Sequence, residues 1–229
     1  MRNMAKVLVR YIFLEDATNI DPSRLMRHAA RLQERFDYSE LNNKNVPLAG
    51  TAQRNTIMAW SLAAEMYQGL GMTTDFFTGL HSSVTGKPLH PDVSFSIAHT
   101  RNMIVVAMSR SVTVGIDVET TYAFEQLPPQ ADIHQMLVQI SGTADVTTWV
   151  AAEAVLKASE NASVDNICDV SLTNGQARLG KKRFWCHAVS LPLGWCCQLA
   201  TNEQEISVML SEASAATLLA ASNELAFTS

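Results

Sequence analysis

The most informative stretch of the chain is Val112-Thr113-Val114-Gly115-Ile116-Asp117-Val118-Glu119. β-Branched residues occupy most of its positions, which is typical of a buried strand. Side chains alternate faces along a strand, so Asp117 and Glu119 are expected on one face. Two such close carboxylates disfavour joint ionisation, and a hard cation such as Mg²⁺ removes that penalty. For this motif alone, a strand that ends in two ordinary solvated acids is the alternative.

A second informative stretch is Trp149-Val150-Ala151-Ala152-Glu153-Ala154-Val155-Leu156-Lys157. It is apolar on nearly all sides, which predicts a buried helix. Glu153 and Lys157 interrupt it at positions i and i+4, and therefore share a face. An ordinary surface ion pair would have more polar neighbours on the same helix, whereas this pair stands nearly alone. Because a buried charge needs a partner or a function, the pattern favours a functional pair.

Length and composition indicate a soluble globular protein of one or two domains: 229 residues, 47% of them hydrophobic and 17% charged. No apolar run is long enough to cross a bilayer, and the N-terminus has no signal-peptide pattern. We therefore expect a cytoplasmic protein with no membrane partner. The four cysteines show neither C-x-x-C nor zinc spacing, which predicts reduced thiols.

The charges are distributed unevenly along the chain. Residues 1–115 carry 12 Lys and Arg against 9 Asp and Glu, whereas residues 116–229 carry 5 against 13. Extended basic tracts are absent, which argues against a nucleic-acid partner. The asymmetry fits a cleft in which phosphates meet one wall and a metal ion the other, and it also fits chance.

Hydrophobic periodicity and turn residues predict mixed elements. The predicted strands are residues 6–14, 93–99, 103–109, 112–118, 166–172, 177–179, 183–189, 196–200 and 206–210. The predicted helices are residues 21–36, 51–70, 133–140, 146–161 and 211–221. Residues 101–102 and 110–111 are expected to form hairpin turns. The order of elements occurs twice, which predicts an α+β fold in two similar halves that meet near residues 115 and 116.

Four segments together resemble the Sfp-type 4′-phosphopantetheinyl transferase superfamily. They are G-K-P at 86–88, F-S-I-A-H-T at 95–100, G-I-D-V-E at 115–119 and W-V-A-A-E-A-V-L-K at 149–157. The family patterns are GKP, F-x-(I/L)-S-H-(S/T), G-(I/V)-D-(I/V)-E and W-x-x-K-E-(A/S)-x-x-K, in the same order. The resemblance covers residues 54–157, and the tail after residue 160 matches only in being rich in strands.

The resemblance implies a pseudo-dimer of two α/β halves with the active site in the cleft between them. Residues 1–115 would form the half on the phosphate side of coenzyme A. Residues 116–229 would carry the magnesium-binding carboxylates and face the carrier protein. The implied activity is that of a holo-[acyl-carrier-protein] synthase, which transfers 4′-phosphopantetheine from coenzyme A to a serine of an acyl or peptidyl carrier protein. Such carriers serve fatty-acid, polyketide or non-ribosomal peptide biosynthesis, and a monomer would suffice.

Site residues are carried over by position. The implied Mg²⁺ ligands are Asp117, Glu119 and Glu153. The implied contacts to the coenzyme A phosphates and 3′-phosphoadenosine are Arg54, Lys87 and His99. The implied catalytic residues are Glu153, which helps to deprotonate the serine, and Lys157, which stabilises or protonates the departing 3′,5′-ADP.

Two departures from the family pattern keep an alternative open. Ala152 stands where the family usually has lysine, and Ala98 where it usually has serine. We expect these changes to remove a cation and a hydroxyl from the phosphate side of the site. The alternative is a non-catalytic member of the family that binds coenzyme A or a carrier protein. An unrelated metal-dependent phosphoesterase would explain the D-x-E strand but not the segments at 86–88 and 149–157.

Overall fold

The computed structural model describes residues 4–14, 51–85, 87–100, 102–122, 132–160, 164–214 and 218, without the side chains of 51–54 and 164–165. Its fold is mixed α+β with three sheets. The described helices are α1 (Thr51–Gly69), α2 (Asp132–Ser141) and α3 (Val146–Ala158), with 3₁₀ helices at Phe76–Gly79 and Val164–Asp169. All three α-helices lie where the sequence predicts them.

A first sheet has the strand order β11-β1-β5-β4. Its strands are β1 (Ala5–Phe13), β4 (Ser94–His99), β5 (Met103–Ser109) and β11 (Ile206–Glu212). β1 runs antiparallel to β5 and parallel to β11, with Ala5 opposite Ile206. The first sheet therefore combines strands from both ends of the chain. The division into halves at residues 115 and 116 stays a prediction.

A second sheet is antiparallel throughout and has the order β6-β10-β9-β8-β7. Its strands are β6 (Val114–Thr120), β7 (Val170–Thr173), β8 (Gln176–Leu179), β9 (Lys182–Ala188) and β10 (Trp195–Thr201). A short hairpin of β2 (His81–Ser82) and β3 (Pro88–Leu89) forms the third sheet.

Hydrophobic side chains form three clusters that hold these layers together. In the first, residues of α1 such as Leu62 pack on the face of the first sheet that carries Ile104. In the second, residues of both sheets, such as Val105 and Ile116, pack together. In the third, α2 and α3 pack with β7, β8 and β9 of the second sheet. The first and second sheets thus each have a long helix packed on one face, and their other faces pack together to form the core between them.

Two serines of β4 connect the sheets. Ser94 Oγ accepts the backbone N–H of Val114 at 2.9 Å, and Ser96 Oγ accepts that of Ile116 at 3.0 Å. β6 hydrogen-bonds β10 on its other edge, so these hydroxyls satisfy buried backbone donors where no further strand pairs. They bring the end of β4 beside the end of β6.

The predicted hairpin at residues 110–111 is wrong, because β5 and β6 belong to different sheets. Ser109 explains the change of direction. Its hydroxyl donates to the Lys6 carbonyl at 2.7 Å and accepts the backbone N–H groups of Ser111 and Val112 at 3.3 and 3.4 Å. These bonds turn the backbone away from the first sheet.

Two further predictions need correction. Residues 166–169 belong to a 3₁₀ helix rather than a strand, and the Asn166 side chain donates to Asp169 Oδ2 at 3.3 Å. Such local bonds compete with a β ladder. The last helix cannot begin at Ser211, because β11 continues to Glu212 in register with Tyr11. Pairing along β1 overrides the helical preference of an alanine-rich segment.

The helix predicted at residues 21–36, with its four arginines, lies outside the described residues, as does most of the helix predicted at 211–221. None of the described helices has both the length and the apolar character required to cross a membrane.

Candidate functional site

β6 presents Asp117 and Glu119 toward α3, as the alternation of its side chains predicts. Val114, Ile116 and Val118 point the other way, into the core between the sheets. Gly115 lies on the α3 side, where an added Cβ would overlap the Ala154 carbonyl oxygen and the Ala158 amide nitrogen. The absence of a side chain at this position lets α3 lie directly on β6.

α3 is fixed at both ends and buried along its length. The Asp145 side chain caps its N-terminus by accepting the backbone N–H of Thr148 at 2.8 Å. Most of its residues are buried, including Glu153, which is 8% exposed. The sequence therefore identified a buried glutamate correctly. Because Cβ bonds tilt toward the helix N-terminus, the Lys157 side chain leans back toward the level of Glu153.

The ammonium of Lys157 contacts Asp117 across the two elements. Its Nζ donates to Asp117 Oδ1 at 2.6 Å, and the Asp117 side chain is 12% exposed. Glu153 carries the second buried carboxylate and interacts electrostatically with both Lys157 and Asp117. Among the described residues, Lys157 is the one cation that interacts with both buried carboxylates, so this cluster of three side chains has more acidic than basic groups.

Burial governs the protonation of both carboxylates. Desolvation raises the pKa of Asp117, while the Lys157 ammonium and the Val118 N–H act in the opposite direction. Desolvation also raises the pKa of Glu153, and the charge of Asp117 raises it further against the effect of Lys157. A carboxylate with a raised pKa is a stronger base once it is ionised, which suits proton transfer.

Glu119 lies on the same face of β6 as Asp117, but its carboxylate hydrogen-bonds Thr120. Its Oε1 accepts the backbone N–H of Thr120 at 2.7 Å and the hydroxyl of the same residue at 3.4 Å. Across the part of the chain that the structure describes, no group of three or more His, Cys, Asp or Glu side chains is close enough to hold a metal ion. Glu119 would have to leave Thr120 to join Asp117 and Glu153.

His99 stands at the end of β4, close to this cluster. Desolvation by surrounding atoms lowers its pKa although the residue keeps an exposed surface, and the Lys157 charge lowers it further. Asp117 acts in the opposite direction. A neutral imidazole at this position can accept or donate a hydrogen bond to a ligand at the cluster.

Lys87 lies beside the last turn of α3, where its ammonium donates to the Lys157 carbonyl oxygen. Cations are favoured at the C-terminus of a helix. The residue lines an open cleft of about 440 Å³ that also includes His81, Arg110 and Glu160. The structure therefore places Lys87 next to α3, in a cleft whose lining does not include His99, Asp117 or Glu153.

The ionisation of Lys87 is expected to make stability depend on pH. Desolvation lowers its pKa from 10.5 to about 8; to a smaller extent the charge of Glu160 raises this pKa and the charge of Lys182 lowers it further. Between these values the unfolded chain holds a proton that the folded protein releases, so stability rises with pH. We expect the free energy of unfolding of the wild type, relative to Lys87→Met, to rise by about 3 kcal/mol from about pH 7 to about pH 10.5.

Urea denaturation of both proteins across this pH range measures the difference. Lys181→Met, at an exposed lysine in the turn after β8, controls for the loss of any lysine. A constant difference between wild type and Lys87→Met would show that Lys87 does not titrate with a lowered pKa.

Arg54 lies in the first turn of α1, as the sequence predicts, and its side chain is outside the described residues. The two departures from the family pattern both lie in the core. Ala98 is 2% exposed and faces the second sheet, and Ala152 is fully buried against α2 and β-strands. The expectation that they remove a hydroxyl and a cation from the phosphate side stays a prediction.

Sequence reasoning missed the β10 residues beside the cluster. Gln198 lies directly opposite Asp117, and Cys196 directly opposite Glu119. Strand 196–200 was predicted, but its pairing with β6 depends on contacts between segments about 80 residues apart. No motif in the sequence identifies these two positions. The chain matches no protein-family model and no curated protein.

Proposed function

We propose that the protein is a Mg²⁺-dependent 4′-phosphopantetheinyl transferase that acts on a serine of an acyl or peptidyl carrier protein. One observation carries the proposal. Asp117 of β6 and Glu153 of α3, taken from the two most specific motifs, are both buried and both interact with the ammonium of Lys157. Two motifs that are far apart in the sequence, and that both supply active-site residues in the family that the chain resembles, therefore lie close together.

The donor set fits Mg²⁺ in its chemistry. Asp117 and Glu153 supply buried carboxylate oxygens, which hard cations prefer, and their charge exceeds that of Lys157. Glu119 on the same strand face would be the third ligand after leaving Thr120. When bound, the ion would neutralise negative charge on the oxygens of the coenzyme A pyrophosphate, including those of the phosphate under attack.

The proton transfer and the stabilisation of the leaving group are assigned to side chains of the protein. The carrier serine forms a bond to the β-phosphorus of coenzyme A, and the bond from that phosphorus to 3′,5′-ADP breaks. Glu153 accepts the serine proton, a role that its burial supports because desolvation raises its pKa. Lys157 stabilises the charge on the leaving phosphate, for which it must exchange its contact with Asp117 for one with the substrate.

The fold we propose is the pseudo-dimer of this superfamily. Its support is the way α1 covers the first sheet and α3 the second, with a shared core between the sheets. The candidate site lies where β4 of the first sheet meets β6 and α3. Coenzyme A would bind from the side of His99, with Arg54 and Lys87 as the further phosphate contacts that the resemblance implies.

A specific observation supports the alternative of a non-catalytic binding protein. Lys157 bonds Asp117 and Thr120 bonds Glu119, so both carboxylates of β6 already have partners. A protein that kept the fold but lost the metal could retain this arrangement. It would bind coenzyme A or a carrier protein at the same site without turnover.

The experiment that separates these functions is the intact mass of an apo carrier protein after incubation with the protein, coenzyme A and Mg²⁺. We expect a gain of one phosphopantetheine per carrier, lost when EDTA is present. Several unrelated carriers are needed, since the sequence does not identify the partner. Binding of coenzyme A without any mass gain would support the non-catalytic alternative.

A further inference from the structure

β10 places a neutral polar side chain directly beside the proposed metal site. In the antiparallel pairing of β10 with β6, Gln198 is opposite Asp117 and Ala200 is opposite Gly115. Directly opposite residues point to the same face, with Cβ atoms about 5 Å apart. That face is the one on which α3 lies. Gln198 therefore lies under α3, next to Asp117.

The strand neighbours of Gln198 are apolar, and packing against them does not require an amide side chain. Gln198 is 7% exposed, and its strand neighbours Cys197, Leu199 and Ala200 are buried apolar residues. A buried amide normally has hydrogen-bond partners. Within the part of the chain that the structure describes, no group hydrogen-bonds this amide, yet its atoms are not among the fully buried polar atoms that lack partners. The hydrogen-bonding capacity of this amide is therefore not used by any described residue.

Asp117 has hydrogen-bonding capacity left for such a donor. Its carboxylate accepts from Lys157 Nζ and from the Val118 N–H. An ionised carboxylate has about four lone-pair sites, so one oxygen can bind a cation while the other accepts hydrogen bonds. Carboxylates that ligate metals are usually held by such outer partners, which fix their orientation.

We infer that Gln198 is a positioning residue of the metal site: its amide N–H₂, which no described residue uses, would hold the Asp117 carboxylate in the orientation that binds the ion. The inference rests on the proposed function. Gln198 acts through Asp117 and touches neither substrate nor reacting atoms. Its removal therefore changes the affinity for the ion and leaves the chemistry at saturating ion largely intact.

The test compares Gln198→Met with the wild type, because methionine keeps the length and volume and removes only the amide. Gln176→Met, at an exposed glutamine of β8 in the same sheet, is the matched control. Mg²⁺ binding is measured by calorimetry in the presence of coenzyme A, and transfer is measured as a function of Mg²⁺ concentration. We expect Gln198→Met to raise the Kd and KM for Mg²⁺ about 10- to 100-fold, with kcat at saturating Mg²⁺ within about twofold of the wild type.

Gln198→Asn is the second variant, and since it retains an amide it should bind Mg²⁺ more tightly than Gln198→Met. An unchanged Kd for Mg²⁺ in Gln198→Met would overturn the inference. So would a fall in kcat at saturating Mg²⁺ with no change in Kd, since that is the result of a purely structural role. A wild type that neither binds Mg²⁺ nor transfers the group would overturn the proposed function as well, and this failure is visible without any variant.

Discussion

Replacing Glu153 by glutamine is expected to lower phosphopantetheine transfer by about 10²- to 10⁴-fold, the range typical of a lost general base. Glutamine keeps the shape of the side chain and can neither accept the serine proton nor supply a carboxylate to a cation. Asp117→Asn should have an effect of similar size, because it removes the second buried carboxylate and the partner of Lys157. The measurement is carrier mass against time at saturating coenzyme A and Mg²⁺.

Neither substitution should unfold the protein. Desolvation raises the pKa of both carboxyl groups, so their ionised forms destabilise the fold at neutral pH. A neutral amide at position 153 avoids that cost, and thermal unfolding of Glu153→Gln without metal should therefore begin no earlier than that of the wild type. Glu205→Gln, at an exposed residue before β11, is the control and should transfer normally. Wild-type turnover in Glu153→Gln would refute the site assignment.

Local patterns in the sequence were sufficient for most of the secondary structure and for part of the site. Alternation along β6 placed Asp117 and Glu119 on one face, and the lone polar pair in an apolar helix identified Glu153 and Lys157 as unusual. The burial of Glu153 at 8% exposure agrees with that pattern. Each of these features is determined by residues within one element, which is why they can be read without knowing the fold.

Features that join distant elements could not be read in the same way. The Ser109 bonds that send β5 and β6 into different sheets depend on the position of Lys6, more than 100 residues away. The partner of Lys157 is Asp117 rather than the helix neighbour Glu153, because the contact between β6 and α3 decides which carboxylate is nearer. The same holds for Gln198, which the pairing of β10 with β6 brings to the site.

Gly115→Ala is expected to destabilise the fold by about 3 kcal/mol or more, at the upper end of the cost of an overpacked core. The added methyl group would overlap backbone atoms of Ala154 and Ala158, which cannot move away as a flexible side chain could. To make room, α3 must shift away from β6, and Lys157 and Glu153 would then move away from Asp117. Urea denaturation measures the loss of stability, and Mg²⁺ binding to the folded fraction measures the change in the site.

Gly69→Ala, at the end of α1 where an added Cβ meets no atom within 4 Å, is the matched control and should be neutral or slightly stabilising. A Gly115→Ala variant as stable as this control would mean that α3 does not lie directly on β6. The proposed site would then lose its basis, because the close approach of these two elements is what brings the carboxylates of two separate motifs to one cation.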